Sequence, residues 1–331
     1  MTSHGQHTSA ASLGETVAEA PPGRSAPAKN NRPARTRNRE GKWGYFFLSP
    51  WFVGLIVLTA GPMLVSLYYS FTNYSLLSEP QWVGVANYER MLNADRFYAS
   101  LGVTLRYVLI SVPLQLIFAL VVALLLNRVV RGMSAYWALY YLPSMLGASV
   151  AIAILWRQVF GQEGVVNAAL RLLGWENPPA WIAEPNYALY TLILLRVWEF
   201  GAPMVIFLAG LRQVPKEYYE AAQVDGAGAV QVFFRITLPI ITPVIFLNVI
   251  LQMIGAFQAF NSAFIISNGT GGPLDSTLFY TLYLYQEAFG SFRMGYASAL
   301  AWVLLVIIGI LTAVNFLLSR HWVYYEDGGD R

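Results

Sequence analysis

The chain has 331 residues, of which 56% are hydrophobic and only 12% are charged, and its formal net charge is +3. Soluble domains carry about 25% charged residues, so this composition excludes a pair of ordinary soluble domains and indicates a membrane protein. The absence of cysteine excludes disulfides, thiolate metal sites and cysteine nucleophiles. The three histidines, His4, His7 and His321, lie near the termini, which argues against a zinc site on a helix.

The first 43 residues hold seven of the 21 lysines and arginines. Their Ala, Pro, Ser and Gly content cannot bury a core, so we predict a disordered basic cytoplasmic tail over residues 1–43. A nucleic-acid-binding arm is the alternative interpretation of such a basic run. A tail that fixes the orientation of a membrane protein is the simpler one.

Six later stretches reach the length of about 20 apolar residues that a membrane-spanning helix needs. They are residues 46–71, 101–126, 135–159, 187–211, 243–267 and 296–318. The sequence therefore predicts an all-α integral membrane protein with six transmembrane helices.

The orientation of these spans follows from the lysines and arginines near their ends. With the N-terminal tail inside, fourteen of these residues lie on the inner side and five on the outer side. Cationic residues collect on the cytoplasmic side of membrane proteins. Both termini, and the loop at 212–242 between the fourth and fifth spans, are therefore predicted to be cytoplasmic.

That cytoplasmic loop is predicted to form two short helices lying along the membrane. Pro215 suits the first turn of a helix over 216–224, and Asp225 and Gly226 end it, since glycine permits positive φ and aspartate can cap the next helix. A second short helix is predicted over 227–235. Small side chains let another surface approach the backbone closely, but on these grounds a tight connector without a partner is an equal alternative.

The residues of this loop resemble the "EAA" loop of bacterial ABC importer permeases, which docks onto an ATP-hydrolysing subunit. The matching residues are Glu220-Ala221-Ala222, then Asp225-Gly226-Ala227, then Ile236, Leu238 and Pro239. The resemblance implies an ATPase-coupling loop at about 214–240, whose main residues are Tyr219, Glu220, Ala221, Ala222, Asp225, Gly226, Ala227 and Pro239.

The resemblance covers most of the chain, from about Leu48 to Leu318. Within the ABC importer permeases, the chain resembles the carbohydrate-uptake group, and in that group the maltose F subunit or the glycerol-3-phosphate A subunit. Further segments that carry it are Val83-Gly84-Val85-Ala86-Asn87-Tyr88, Gly271-Gly272-Pro273 and Gly295-Tyr296-Ala297-Ser298-Ala299-Leu300. It implies a type I ABC importer (MetI-like) transmembrane domain at 97–320, preceded by a first helix and outer loop at 44–96 and followed by a C-terminal tail at 321–331. The first outer loop is short, so contacts of the large periplasmic domain of the enteric maltose F subunit do not transfer.

The chain contains no G-x-x-x-x-G-K-[ST] phosphate loop, so we expect it to bind no cofactor and to be no enzyme. The resemblance places ATP and Mg²⁺ on partner subunits. It implies a sugar importer of the bacterial cytoplasmic (inner) membrane, built with a second permease subunit, an ABC ATPase dimer and an extracytoplasmic solute-binding protein. Lipid is then the surrounding partner, and nucleic acid is not a partner.

The fifth span carries polar residues that are costly in a membrane and need a reason. At about 100° per residue, Asn248, Gln252, Gln258 and Ser262 fall within an arc of about 120°, with Asn261 about 60° beyond it. Such a face is expected to look towards a watery path or a partner helix. Gln258 and Asn261 resemble in placement the amides on the sugar-facing surface of the maltose F subunit, and helix–helix contact is the alternative.

Arg196 and Glu199 lie three residues apart in the fourth span and can neutralise each other on one helix face. We favour a structural pair, while a relay in an ion- or proton-coupled secondary transporter is the alternative function. Arg106, five residues into the second predicted span, is expected to reach the membrane surface. A membrane enzyme is a third class, but neither G-x-S-x-G nor H-E-x-x-H occurs.

Overall fold

The computed structural model describes residues 40–127, 141–142 and 150–324. Residues 1–39 of the predicted basic tail, residues 135–140 and 143–149 of the third predicted span, and residues 325–331 lie outside this part of the chain. Residues 40–43 of the tail belong to a described helix. The described residues are helical apart from turns, loops and two isolated β-bridges, Thr72 with Trp82 and Ser75 with Ser78. The all-helical prediction is thus confirmed.

The chain divides into two compact units, 1–56 and 57–331. In the first unit the described residues form α1, Glu40–Gly54, and the start of a π-helical segment, Leu55–Ala60, which ends in the second unit.

The second unit continues from that segment with fourteen α-helices in the part that is described. They are α2 Gly61–Ser70, α3 Ala86–Leu92, α4 Asp95–Asn127, α5 Val150–Val159, α6 Val165–Leu172, α7 Pro185–Trp198, α8 Gly201–Leu211, α9 Lys216–Val224, α10 Ala229–Val232, α11 Leu238–Ile240, α12 Thr242–Phe257, α13 Asn261–Ile266, α14 Tyr280–Tyr285 and α15 Met294–Trp322. Short π-helical segments, Phe233–Thr237 and Gln286–Gly290, join α10 to α11 and follow α14.

Among the described residues, four helical stretches are long and apolar enough to cross a membrane. They are Phe47–Ser70, Asp95–Asn127, Thr242–Ile266 and Met294–Trp322. The helices α7 and α8 meet at a 41° bend and make a fifth span if they are taken together. Of the third predicted span, residues 141–142 and 150–159 are described, and residues 150–159 form α5.

The second span differs most from its prediction at 101–126. Its helix, α4, begins at Asp95, because an acidic residue is favourable at the positive end of a helix and lengthens it beyond the apolar run. Arg106 is therefore the twelfth residue of α4 rather than the sixth residue of the span, and its side chain is exposed.

The core of the second unit is built around α4, which packs against α7, α8 and α12. Ala119 and Ala123 are fully buried on its inner face. Without side-chain bulk at these positions the neighbouring helices approach closely, as is typical of packing in membranes. Gly210 on α8 serves the same purpose, since a Cβ there would lie 2.7 Å from a methyl group of Val244.

Candidate functional site

The first helix of the loop at 212–242, α9, forms over the predicted residues, Lys216–Val224. Pro215 stands one position earlier than predicted, at the N-cap with φ −59° and ψ 137°, rather than within the first turn. Glu217 lies in the first turn, where a negative charge stabilises the helix end.

The turn after α9 depends on Gly226, whose φ of +72° confirms the predicted positive value. The amide of Gly226 donates to the carbonyl of Gln223 at 3.1 Å, and the amide of Ala227 donates to the carbonyl of Ala222 at 2.9 Å. This pair of bonds is a Schellman motif, which closes the end of a helix. Asp225 is the C-cap of α9, so the prediction that it caps the second helix is wrong.

The second helical stretch of the loop runs over Ala229–Ile240, whereas the prediction was 227–235. It begins later because Gly228 is extended, with ψ 157°, and occupies the N-cap. It continues through a π-helical segment to Pro239 in α11. Proline has no N–H to offer the carbonyl four residues back, so a local change of hydrogen-bond register lets the chain remain helical.

The two helical stretches pack on each other around a cleft of about 370 Å³. The hydroxyls of Tyr219 and Thr237 lie 3.2 Å apart and join them. Ala222 is only 6% exposed, so its small size serves the packing of the loop itself. Glu220 and Ala221 are exposed. The cleft is lined by Tyr218, Ala221, Ala222, Asp225, Gly226, Ala227, Gln231, Val232, Arg235 and Ile236.

Three exposed apolar side chains of the loop went unnoticed in the sequence. Val224 on α9 is 87% exposed, and on the second helical stretch Val230 is 72% and Phe234 is 60% exposed. A β-branched apolar residue beside the glycine-rich turn of this loop is the signal that could have found the two valines. Several exposed large apolar side chains on one loop are typical of a protein-binding surface.

In the fifth span, the predicted continuous polar face is wrong beyond Phe257. The helix α12 ends there, and α13 starts only at Asn261, because Phe260 adopts φ −133° and ψ −57°. The carbonyl of Ala259, freed by the break, accepts a hydrogen bond from the hydroxyl of Thr281. The helix-wheel positions of Gln258 and later residues therefore do not apply.

This break opens a cavity of about 190 Å³ beside α4 and α7. Its lining brings together three of the five predicted path residues, Gln258, Asn261 and Ser262, with the ion pair of the fourth span. The other lining residues are Tyr107, Leu195, Arg196, Glu199, Gly255, Ala259 and Phe260.

Arg196 is the most connected side chain of the cavity. Its Nη1 lies 3.3 Å from Glu199 Oε2, and its Nη2 donates to Gln252 Oε1 at 2.9 Å and to the Gln252 carbonyl at 3.3 Å. The two charged side chains are only 16% and 15% exposed. Gly255 makes room, since a Cβ there would lie 3.1 Å from Nη2. Gln252 thus holds the arginine and is not among the cavity-lining residues.

Asn248 lies apart from the cavity. It is fully buried, and its Nδ2 is 3.5 Å from the carbonyl of Pro203 on α8, at the limit of a hydrogen bond. Asn248 therefore lies in a contact between two helices, which is the alternative interpretation of the polar face of the fifth span.

The sequence reasoning missed Gln115 on α4. Its Nε2 donates to the carbonyl of Glu199 at 3.0 Å, which satisfies a group freed by the bend between α7 and α8. Gln115, Ser111 and Tyr107 are spaced by four residues and lie buried on one face of α4. That spacing of polar groups in an apolar helix is the signal that could have found them.

Residues 85–323 match the model of a protein family described as "Binding-protein-dependent transport system inner membrane component". The chain belongs to this family. A YesP protein of Bacillus subtilis, described as a probable ABC transporter permease protein, is 51% identical over 88% of this chain and 95% of its own length. The multiple sugar-binding transport system permease protein MsmF of Streptococcus mutans is 31% identical over 84% of this chain and 95% of its own.

Solved structures show the same fold. A chain of a bacterial alginate ABC transporter, in complex with an alginate pentasaccharide-bound periplasmic protein, superposes with a TM-score of 0.74. It is 22% identical and covers 85% of this chain and 95% of the other. By its family and its relatives, the chain is an ABC transporter permease subunit of the inner membrane, and the expectation that it is not itself an enzyme is confirmed.

Proposed function

We propose that this chain is the permease subunit of an ATP-driven importer that carries a sugar across the cytoplasmic membrane. Several relatives are named for sugars. The lactose permease protein LacF of Rhizobium radiobacter is 30% identical over 84% of this chain, and the arabinooligosaccharides permease protein AraP of Bacillus subtilis is 33% identical over 83%.

The observation that carries the proposal is the cytoplasmic loop. Two short helices fixed to each other by Tyr219 and Thr237 present a cleft with exposed Glu220 and Ala221. A rigid, exposed pair of helices of this kind can transmit a movement of a bound partner to the membrane spans on either side of the loop. We assign the coupling to Tyr219, Glu220, Ala221, Ala222, Asp225, Gly226, Ala227 and Pro239.

The partner that drives the loop is a dimer of ATPase subunits, which bind the ATP and Mg²⁺. Closure of the two ATPases would draw the loops together and switch the cavity from one side of the membrane to the other. In this proposal a second, different permease subunit completes the pathway, and an extracytoplasmic binding protein delivers the sugar.

We propose six spans with both termini in the cytoplasm. The surplus of lysines and arginines on the side of the coupling loop supports this orientation. It also places the loop on the side where ATP is found.

Within the pathway, Gln258, Asn261 and Ser262 are the candidates for sugar contact, since all three line the cavity. Amides and hydroxyls both donate and accept hydrogen bonds, which suits sugar hydroxyls. Gln252 and Asn248 would not touch the sugar. Gln252 would hold Arg196 in place, and Asn248 would maintain the contact between α12 and α8.

The alternative is an ion- or proton-coupled secondary transporter, and the ion pair of Arg196 and Glu199 at the cavity is the observation that favours it. Sealed vesicles containing the complete transporter separate the two. Uptake of labelled sugar that requires internal ATP and survives a protonophore supports the importer. Uptake without ATP, abolished by the protonophore, would establish the alternative.

Composition of the complex is the first experiment. The tagged chain is purified in mild detergent from its native membrane, and the proteins that accompany it are identified by mass spectrometry. An ATPase and a second permease are expected. A chain that purifies only as a homo-oligomer would contradict the proposal.

A further inference from the structure

We infer that four aromatic side chains form a track for sugar rings that leads into the cavity at Arg196 and Glu199, an inference that rests on the proposed function. These residues, the aromatic track, are Phe260, Phe264, Tyr285 and Phe289.

The four rings are in continuous contact. The centroid of Phe260 lies 5.3 Å from that of Phe264 and 5.1 Å from that of Tyr285. Tyr285 lies 5.4 Å from Phe264 and 5.0 Å from Phe289. All these distances are within the range of direct ring contact.

The inner end of the track is Phe260, which lines the cavity together with Arg196 and Glu199. These two charged side chains keep some exposure within a membrane-spanning region. Charged groups at this depth face a water-filled space or other polar groups, and not lipid. The Phe260 end of the track therefore borders a polar cavity.

The outer end of the track is exposed and is held by polar contacts behind it. Tyr285 is 37% exposed and Phe289 is 53% exposed. Between them in sequence, Gln286 donates to the carbonyl of Gly269 at 2.7 Å and accepts from Arg96 Nη2 at 3.1 Å. The rings are thus presented by a fixed segment.

A sugar ring fits this combination of groups. The negatively charged face of an aromatic ring attracts the C–H face of a sugar, which carries a partial positive charge. At the end of the track, Glu199 can accept hydrogen bonds from sugar hydroxyls, and the amide of Gln258 can both donate and accept them. The Gln258 side chain makes no hydrogen bond to any other residue in the described ranges, so it is available for this role.

A lipid-facing aromatic girdle is the competing explanation. Such girdles consist mainly of tryptophan and tyrosine at the level of the lipid headgroups. Three of the four rings here are phenylalanine, and the inner one borders an ion pair that hydrocarbon cannot solvate. These observations favour the sugar track.

The absence of cysteine makes a direct test straightforward. Phe260→Cys and Phe289→Cys are placed singly in the complete transporter and treated with a charged, membrane-impermeant thiol reagent. Both are expected to react, and to react more slowly while sugar is being transported. The probes are lactose, maltotriose, arabinotriose and an alginate trisaccharide. Phe292→Cys, similarly exposed on the same outer segment but outside the track, is the control expected to react without protection by sugar.

Transport by ring-altering variants is the second readout. Phe260→Leu is expected to lower the uptake rate by about tenfold, because the ring face is lost while the apolar bulk is kept. Phe260→Tyr should remain within about twofold of wild type and Phe292→Leu should match it. Phe289→Leu, at the exposed end, is expected to lower uptake without any effect on folding. For every variant, basal ATP hydrolysis is measured as the control that the transporter has assembled.

The outcomes separate this inference from the proposed function. If the wild-type complex purifies without an ATPase and carries none of the four probes, both are overturned. If it assembles with an ATPase but carries none of them, the track alone is overturned. If it carries a probe while Phe260→Leu and Phe289→Leu transport at the wild-type rate, or while Phe260→Cys stays unreactive in both the resting and the vanadate-trapped complex, the track alone is overturned.

Discussion

Arg196 on α7 reaches across to Gln252 on α12 and binds both its side-chain oxygen, at 2.9 Å, and its main-chain oxygen, at 3.3 Å. One guanidinium thereby links the helix before the 41° bend to the helix before the break at Phe260. The same guanidinium is neutralised by Glu199. Two irregular helices that line the cavity are thus held in one geometry by a single cation.

Gly255→Ala tests this link. The added Cβ would lie 3.1 Å from Arg196 Nη2, so the guanidinium must shift from Gln252 or α12 must move. We expect a lower melting temperature of the purified complex and slower sugar uptake. Gly309→Ala is the matched control, since nothing lies within 4 Å of a Cβ there and alanine favours a helix by about 1 kcal/mol over glycine. Equal behaviour of the two variants would contradict the link.

Glu199→Gln tests the ion pair. Removal of one partner of a buried pair costs about 3–5 kcal/mol, an upper bound here because both side chains keep some exposure. We expect a reduced yield of the assembled complex. The double variant Arg196→Gln with Glu199→Gln leaves no unpaired charge and should restore the yield, measured by size-exclusion chromatography. A double variant that is worse than the single one would show that the charges act in another way.

Gly226→Val tests the coupling turn. At φ +72° a side chain costs roughly 1–2 kcal/mol, and more for a β-branched residue. The Schellman turn should be distorted, so sugar-stimulated ATP hydrolysis is expected to fall while the protein remains in the membrane. Gly226→Asn is expected to be tolerated, because asparagine adopts this conformation readily.

Gly228→Ala is the control for that turn. Gly228 has φ −72° and open space around it, so alanine there should couple as wild type does. Normal sugar-stimulated ATP hydrolysis in Gly226→Val would show that this turn is not needed to couple ATP hydrolysis to transport.

Tyr219→Phe and Thr237→Val together test the contact between the two stretches of the coupling loop. Their hydroxyls are 3.2 Å apart, and a hydrogen bond of this kind contributes about 0.5–1.5 kcal/mol. Each variant should lower the ATPase stimulation, and the double variant should cost less than the sum of the two. Additive losses, measured on the same purified complex, would mean that the two hydroxyls act independently.

Most of the membrane helices and part of the coupling loop could be predicted from the sequence alone. Long apolar runs specify membrane helices because an unpaired backbone group is so costly in lipid that the chain must form its hydrogen bonds locally. The first helix of the coupling loop and the positive φ of Gly226 were also predictable, since proline, glycine and acidic residues act on their immediate neighbours.

The breaks in the spans were decided only by tertiary structure. The carbonyl that the break after Phe257 releases, at Ala259, is satisfied by Thr281, and the carbonyl at the bend, at Glu199, is satisfied by Gln115, 84 residues earlier in the chain. A break in a membrane helix frees backbone groups that must be satisfied in another way, and here side chains from other helices satisfy them. No local pattern contains that information, so the sequence indicated a continuous polar face where the folded chain forms a cavity.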